Sequence, residues 1–374
     1  MIKKKKILFI ITHLELGGAQ KQLLSIVNGL DNSQYLVCLF AGKQGYLQEK
    51  FLKSSFFQVR LIPQLVRNIN PVYDFIAFLK LYFYIRKNKF YIVHTHSPKA
   101  SILGRWAAYF AGVKNIVYTV HGWPFHGFMN SAGYYLYLVL EKITAKITKK
   151  IIVVSNSDLQ KGVKNKIAKA EKFSLIHYGI DIDKFENVYK ERKKLKPKNT
   201  ILTISALKPQ KGLFYFLGAA KMLLKENPKL NFIIAGAGPF KKKIEKRIRL
   251  LGLSNKVRLE GWVDNIEELF KKASVFVLTS LWEGLPISLI EAVSSGVPIV
   301  VSDTEGLRDL VKDKQQGFIV QPGDSKIVKE KCWQILKSSE DWSRVIEVNR
   351  NRINLSYWSE KRMIKEIEGI YAQL

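Results

Sequence analysis

Glu283-Gly-Leu-Pro-Ile-Ser-Leu-Ile-Glu291, continued by Ala292-Val-Ser-Ser-Gly296, is the stretch on which the fold turns. Two short apolar runs bracket it, Val275-Phe-Val-Leu-Thr279 and Ile299-Val-Val301, with the length and residue types of buried strands. Between them, Pro286 suits the first turn of a helix, where its missing N–H is no loss, and Gly296 suits the position just past the end. The stretch therefore reads as strand, acid-bearing turn, helix and strand: a βαβ unit. In such units ligands sit beyond the carboxyl ends of the strands, and the helix N-terminus presents backbone N–H groups to a phosphate. Glu283 falls on that rim, and Glu291 lies about five residues into the helix, roughly 7–8 Å along its axis. Acids so placed can hold two hydroxyl-bearing parts of one phosphorylated ligand. The ordinary alternative is one solvated loop acid and one helix-surface acid.

The chain of 374 residues, 47% of them apolar, can fill two domain cores. Its formal charge is +30, with 28 basic against 10 acidic residues in 1–190 and 33 against 21 in the remainder. That balance invites nucleic acid, an anionic membrane surface or an anionic substrate as partner, against a plainer reading of solubilising surface lysines. No Cys/His finger supports nucleic acid. Cys38 and Cys332 are too few and too distant for a disulfide framework, which fits a reducing cytoplasm. The basic N-terminus and Ile7–Ile11 mimic a signal peptide, but the apolar run is short and lacks a small-residue cleavage site, so it reads as a first strand. Phe75–Ile85, broken by Lys80, falls well short of the ~18–20 residues that span a bilayer, and no transmembrane helix is expected.

Gly17-Gly18 stands between the first strand and the next helix, where paired glycines let backbone approach a ligand. The helix 75–88 is apolar almost all round and reads as a buried core helix. His94 and His96 share one face of a strand, but no third ligand follows at metal-site spacing, so structural or substrate-lining roles are expected and no metal. His121-Gly122 ends the strand Ile116–Val120, over the mouth of an α/β sheet. Residues 128–150 combine tyrosines and leucines with lysines, which fits either an interfacial membrane contact or a helix with one core face. Residues 188–199 are charged and apolar-poor and read as a linker; 342–374 read as helical and amphipathic.

The Glu-x7-Glu of Glu283 and Glu291, in its setting from Trp282 to Val300, resembles the donor-site signature of retaining glycosyltransferases of family 4. The resemblance extends over nearly the whole chain through Gly17-Gly18, His121-Gly122, His177-Tyr-Gly-Ile-Asp181 and the segment Ser205–Gly212 with Lys211. It implies an α/β GT-B fold, two Rossmann-like doubly wound domains facing a cleft: 1–188 on the acceptor side, 189–354 binding the nucleotide sugar, and 355–374 as a helix crossing back. It also implies roles. Glu291 would take the ribose hydroxyls; Lys211 and backbone near Gly17 and Gly18 would face the diphosphate; Glu283, Gly284 and Leu285 would position the sugar, and His121 would contact it. No cofactor or metal is implied. Two positions depart from the family pattern: Ala206 stands where an Arg is usual, with Lys208 as a candidate substitute, and Tyr178 stands in place of Asn. The expected function is retaining transfer from a nucleotide-diphospho-sugar, a UDP-sugar or UDP-N-acetylhexosamine favoured, to a polyprenyl-diphosphate-linked saccharide acceptor in surface polysaccharide assembly. The site would be cytoplasmic, with the protein peripheral on an anionic membrane surface. The alternatives are a sugar-nucleotide epimerase of similar fold and a basic nucleic-acid-binding protein.

Overall fold

The computed structural model describes the chain apart from residues 1–3, 16, 43–44, 46–47, 49–50, 52–56, 126, 128, 196–198, 312–314 and 351–352. The chain divides into two compact units, Met1–Tyr178 with Glu360–Leu374, and Gly179–Ser359.

The first unit carries a parallel sheet whose strands are β1 (Lys5–Ile11), β2 (Tyr35–Ala41), β3 (Phe57–Leu61), β4 (Ile92–His96), β5 (Asn115–Val120), β6 (Lys150–Val153) and β7 (Phe173–Leu175). Their spatial order is β3-β2-β1-β4-β5-β6-β7. The helices of this unit are α1 (Gly18–Gly29), α2 (Pro71–Asn88), α3 (Pro98–Phe110), α4 (Ser131–Lys146) and α5 (Asn156–Lys164). The second unit opens with α6 (Ile182–Leu195) and orders its strands β10-β9-β8-β11-β12-β13. These are β8 (Thr200–Ile204), β9 (Asn231–Ala235), β10 (Val257–Gly261), β11 (Val275–Leu278), β12 (Ile299–Ser302) and β13 (Gly317–Val320). Between and after them run α7 (Leu213–Glu226), α8 (Lys241–Leu250), α9 (Glu267–Lys272), α10 (Ile287–Ser294), α11 (Ser325–Lys337) and α12 (Ser339–Arg350). A last helix, α13 (Glu360–Ala372), belongs to the first unit.

Strands covered on both faces must be apolar throughout, and they are: Ile7 to Ile11 and Val275 to Val277 are fully buried. In each sheet the order reverses between two central neighbours, β1 and β4 in one and β8 and β11 in the other, which are the switch points where α/β sheets hold ligands. The helix α13 is fastened to the first unit by buried Met363, Ile367, Ile370 and Tyr371, and by Ser25 Oγ donating to Glu360 Oε1 at 2.6 Å. Among the described residues no helix is long and apolar enough to cross a membrane.

Several expectations are corrected. Most of the segment read as a linker is helix α6, because its charges conceal an inward stripe of Phe185, Val188 and Arg192. Arg192 Nη1 donates to the carbonyls of Phe270 (2.6 Å) and Ala273 (2.5 Å), so a cation closes the C-terminal end of α9. The units accordingly divide at Tyr178/Gly179 rather than beyond 188. The helix α2 is not a buried core helix: it buries Ala77, Leu81 and Ile85 but exposes Val72, Phe75 and Phe83. The stretch 342–374 is not one helix but α12, a short 3-10 turn at Leu355–Trp358, and α13.

Candidate active site

In the second unit, the loop after β8 and the loop after β11 meet at the switch point. Gln210 Nε2 donates to the Trp282 carbonyl at 2.8 Å, Leu281 N to the Gln210 carbonyl at 2.8 Å, and Thr279 Oγ1 to the Lys211 carbonyl at 3.2 Å. Gly212, with φ of 57°, lies so close that a Cβ there would meet the Thr279 carbonyl oxygen at 2.1 Å. These latches bring Lys211 Nζ onto Glu283 Oε1, which also accepts from Ser280 Oγ at 2.7 Å. The Lys211 side chain is 16% exposed and that of Glu283 8%. Two roles that the sequence assigns separately thus share one ion pair.

Behind this turn Pro286 caps α10, one residue earlier than a first-turn proline, and Ile287 begins the helix. Gly284 and Leu285 form the turn itself, with Leu285 buried. Gly306 lies directly beneath: a Cβ there would stand 1.6 Å from the Gly284 carbonyl oxygen. Glu291 is the fifth residue of α10 and buried, which removes the reading of it as a helix-surface acid. Ala206 and Lys208 lie in the same loop as Lys211, and Lys211 N donates to the Lys208 carbonyl. An open depression of about 500 Å³ in this unit, lined by residues including Lys184, Glu191, Asp264 and Glu268, includes none of the residues of these two loops.

In the first unit the switch-point loops are likewise joined, by Thr12 Oγ1 and Ser97 Oγ at 2.7 Å and by Thr12 N donating to Ser97 Oγ at 3.0 Å. Gly17 is extended and precedes the first turn of α1, which Gly18 begins. One strand over, β5 delivers His121, whose ring is held on both sides. His121 Nε2 and His96 Nδ1 are 2.8 Å apart, and His121 Nδ1 and the Tyr178 hydroxyl 2.6 Å. His94 completes a stack of rings, with its centroid 4.4 Å from that of His96, and bonds the Tyr371 hydroxyl (2.6 Å) and Thr119 Oγ1 (2.7 Å). His96 Nε2 is buried with no hydrogen-bond partner among the described residues.

Burial lowers His94 and His121 to about 3 and holds His96 well below the ordinary imidazole range, with the neighbouring histidines adding to the effect on His94 and His96. All three rings are therefore neutral at pH 7. A neutral imidazole has one donor and one acceptor nitrogen, and His121 has both engaged. It can present its ring edge to a ligand at once, but a ring nitrogen only by giving up His96 or Tyr178.

Among the described residues no group of three or more His, Cys, Asp and Glu is arranged to hold a metal ion. The sequence reading placed Glu283, Lys211, Gly284, Leu285 and Glu291 in one neighbourhood, and the structure brings the loops bearing Glu283 and Lys211 into contact. It did not single out Ser280, Gln210 or Gly306, which touch the acid-bearing turn, and it named His96 and Tyr178 without joining either to His121. His96, two residues from His94 at the end of an apolar strand, and Tyr178, in place of the family's Asn, were the two with a signal in the sequence.

The family profile described as glycosyl transferases group 1 matches residues 184–352, and that of glycosyltransferase family 4 matches 16–184. A relative from Escherichia coli, the UDP-Gal:alpha-D-GlcNAc-diphosphoundecaprenol alpha-1,3-galactosyltransferase, is 34% identical over 328 residues, 84% of each chain. The capsular polysaccharide biosynthesis glycosyltransferase CapM of Staphylococcus aureus is 25% identical over 332 residues, 86% of this chain and 87% of that one. Among solved structures, Anabaena HepE in complex with UDP-glucose matches with a TM-score of 0.82 at 20% identity, covering 99% of this chain and 100% of that one.

Proposed function

The chain belongs to the glycosyltransferases of the group 1 and family 4 type, with the GT-B fold, and within that family we propose that it moves a sugar from a UDP-sugar to a polyprenyl-diphosphate-linked saccharide with retention at the anomeric carbon. Surface-polysaccharide assembly is the setting this reading gives the reaction, supported by the names of the two bacterial relatives, a diphosphoundecaprenol-linked galactosyltransferase and a capsular polysaccharide glycosyltransferase.

The observation that carries the reading is the Lys211–Glu283 pair, latched between the β8 and β11 loops at the switch point and followed by the N-terminus of α10. A diphosphate is a poor leaving group until its growing charge is met. Lys211 and backbone N–H groups of the first turn of α10 supply that charge from fixed positions, in a setting that excludes much of the water. Among the described residues Lys211 and Ser280 both engage Glu283 through Oε1, and its Oε2 orients sugar hydroxyls. In this reading Glu291 takes the ribose hydroxyls and His121 contacts the sugar. In the transfer, the acceptor hydroxyl oxygen forms a bond to the anomeric carbon as the bond to the diphosphate oxygen breaks. The acceptor proton passes to the departing phosphate on the same face. This scheme gives the carboxylates no hydrolase-like acid and base roles, and it uses protein cations where other enzymes use a metal.

The test supplies UDP-galactose, UDP-glucose and UDP-N-acetylglucosamine in turn, with and without a short polyprenyl-diphosphate N-acetylglucosamine acceptor. UDP release is expected only with acceptor, with an α-linked product, unchanged by chelator, and reduced at least a hundredfold in Glu283→Gln and Lys211→Met. Interconversion of the UDP-sugar without acceptor would replace transfer by epimerisation. Near-normal rates in both variants would overturn the site.

A further inference from the structure

Helix α4 carries apolar side chains on two sides: Tyr134, Tyr137, Leu138 and Ala145 pack on the core, and a second set faces outward. Its core-facing side carries Glu141 and Thr144, both buried, while Tyr135, Leu136, Val139 and Ile143 point to solvent, with Tyr135 63% exposed. The inner polar groups meet partners: Glu141 Oε2 pairs with Arg105 at 2.6 Å, while its Oε1 is buried without a hydrogen bond among the described residues, and Trp106 Nε1 donates to Thr144 Oγ1 at 3.1 Å. The spacing of Leu136, Val139 and Ile143 makes one stripe along the helix.

The same pattern recurs on α2, where Val72, Phe75 and Phe83 fall on one stripe, the two phenylalanines 62% and 63% exposed. Helix α3 packs against both α2 and α4, and its last turn exposes Tyr109 and Phe110. The Phe110 ring lies 6.1 Å from that of Phe78 on α2 and 5.7 Å from that of Trp106 on its own helix, and Trp106 in turn bonds Thr144 on α4, so the three helices are joined. Single exposed apolar side chains are ordinary on soluble proteins; stripes on two helices with two aromatic rings at the end of the helix between them make a patch, which ordinary surfaces avoid.

Charge selects the partner. The patch is edged by Lys80, Arg86 and Lys87 on α2 and by Lys142 and Lys146 on α4. The acids of these three helices are Asp74 and Glu141; the first is paired with Lys99 at 2.5 Å and the second is buried on Arg105. A symmetric contact between two copies of this face would set cation against cation. An apolar centre with a cationic rim instead matches the boundary of an anionic bilayer, where apolar and aromatic side chains enter the headgroup layer and lysines meet phosphates.

We propose that the face formed by α2, α3 and α4 docks the protein on an anionic phospholipid surface. The inference stands apart from the transferase reading, since binding is measured without turnover.

The test is flotation of the full chain with phosphatidylglycerol-containing vesicles and with phosphatidylcholine vesicles, at low and high salt. Binding is expected to the first, weakened by salt. The paired variants Phe75→Ser with Phe83→Ser, and Leu136→Ser with Val139→Ser, should each lower it at least tenfold. Each cation near the surface contributes roughly fivefold in partitioning, so Lys80→Glu with Lys142→Glu should do the same. Thermal melts of all three should match the parent, because the altered side chains lie at the surface. A parent protein that stays with the supernatant, or face variants that float as the parent does, would overturn the proposal. So would a dimer in sedimentation velocity that the same substitutions dissolve, which would reassign the face to self-association.

Discussion

Replacing Glu141 by alanine should destabilise the first unit by about 3–5 kcal/mol, the cost of leaving a buried guanidinium without its counter-charge. Both side chains of the Arg105–Glu141 pair are completely buried. Arg105 also donates from Nη1 to Thr148 Oγ1 at 3.2 Å and from Nε to the Ser101 carbonyl at 3.3 Å, and it lies 4.2 Å above the ring of Tyr118. Removing the carboxylate leaves those contacts, and they cannot replace a full opposite charge. The pair itself is a different matter: against a hydrophobic couple of similar volume, a buried ion pair is often neutral or worse. Arg105→Met with Glu141→Leu should therefore recover most of the loss, and the double-mutant cycle should show strong positive coupling. The two units need not unfold together, so a global curve would mix them. Trp106, which bonds Thr144 on the same helix as Glu141, is a local reporter, and a fluorine label on tryptophan separates it from the other indoles in urea titrations. A cost below about 1 kcal/mol for Glu141→Ala, the value of an exposed pair, would refute the reasoning, as would a double variant as unstable as the sum of the singles.

Two further outcomes follow from the geometry. His94 and His121 titrate near 3 when folded and near 6.5 when unfolded, so between those values the unfolded chain binds more protons; stability is constant above pH 6.5 and falls below it by about 1.4 kcal/mol per pH unit for each histidine. Urea midpoints between pH 7 and 5 should drop accordingly, and an uptake of less than one proton on unfolding at pH 5.5 would contradict the burial argument. Gly306→Ala should displace the Glu283–Leu285 turn, since its Cβ would stand 1.6 Å from a backbone oxygen. A misplacement of about 1 Å costs on the order of a hundredfold in rate, so transfer kinetics, compared with a thermal melt, should show activity lost well before the fold, and an unchanged rate would free that turn from any role.

The strands were legible because a sheet covered on both faces demands uninterrupted apolar runs, as at Ile7–Ile11 and Val275–Leu278. The acid-bearing turn was legible because proline, glycine and the flanking strands fix the frame around Glu283 and Glu291. What composition could not show is the direction a side chain faces once its helix is packed. Helix α2 looks apolar all round, yet only one side of it meets the core; α4 looks amphipathic, yet its one acid, Glu141, faces inward because Arg105, thirty-six positions earlier, waits there. The charged run before β8 looked like a linker because an arginine was counted as a solvated charge, when its guanidinium closes the carbonyls at the end of α9. The pairing of His121 with His96 and Tyr178 joins residues 25 and 57 positions apart, a relation that topology creates and local pattern does not contain.

The two units solve the same problem with different chemistry. In each, the sheet order reverses beside its first strand, and the loops leaving the two strands at the reversal are latched together. In the first unit the latch is a neutral pair of hydroxyls, Thr12 and Ser97, and the titratable groups beside it are histidines that burial keeps uncharged. In the second the latch is reinforced by an ion pair, Lys211 with Glu283, within a few residues of the start of α10. A neutral rim tolerates a saccharide, whose recognition needs hydroxyl-sized hydrogen bonds and no net charge. A lysine beside a helix N-terminus suits a diphosphate, whose negative charge its ammonium and the free backbone N–H groups can meet. Where the charge sits on two similarly wound sheets is the basis on which the proposed function gives the donor to the second unit and the acceptor to the first, and that assignment fails if nucleotide binding survives the loss of Lys211 but not changes around Thr12 and Ser97.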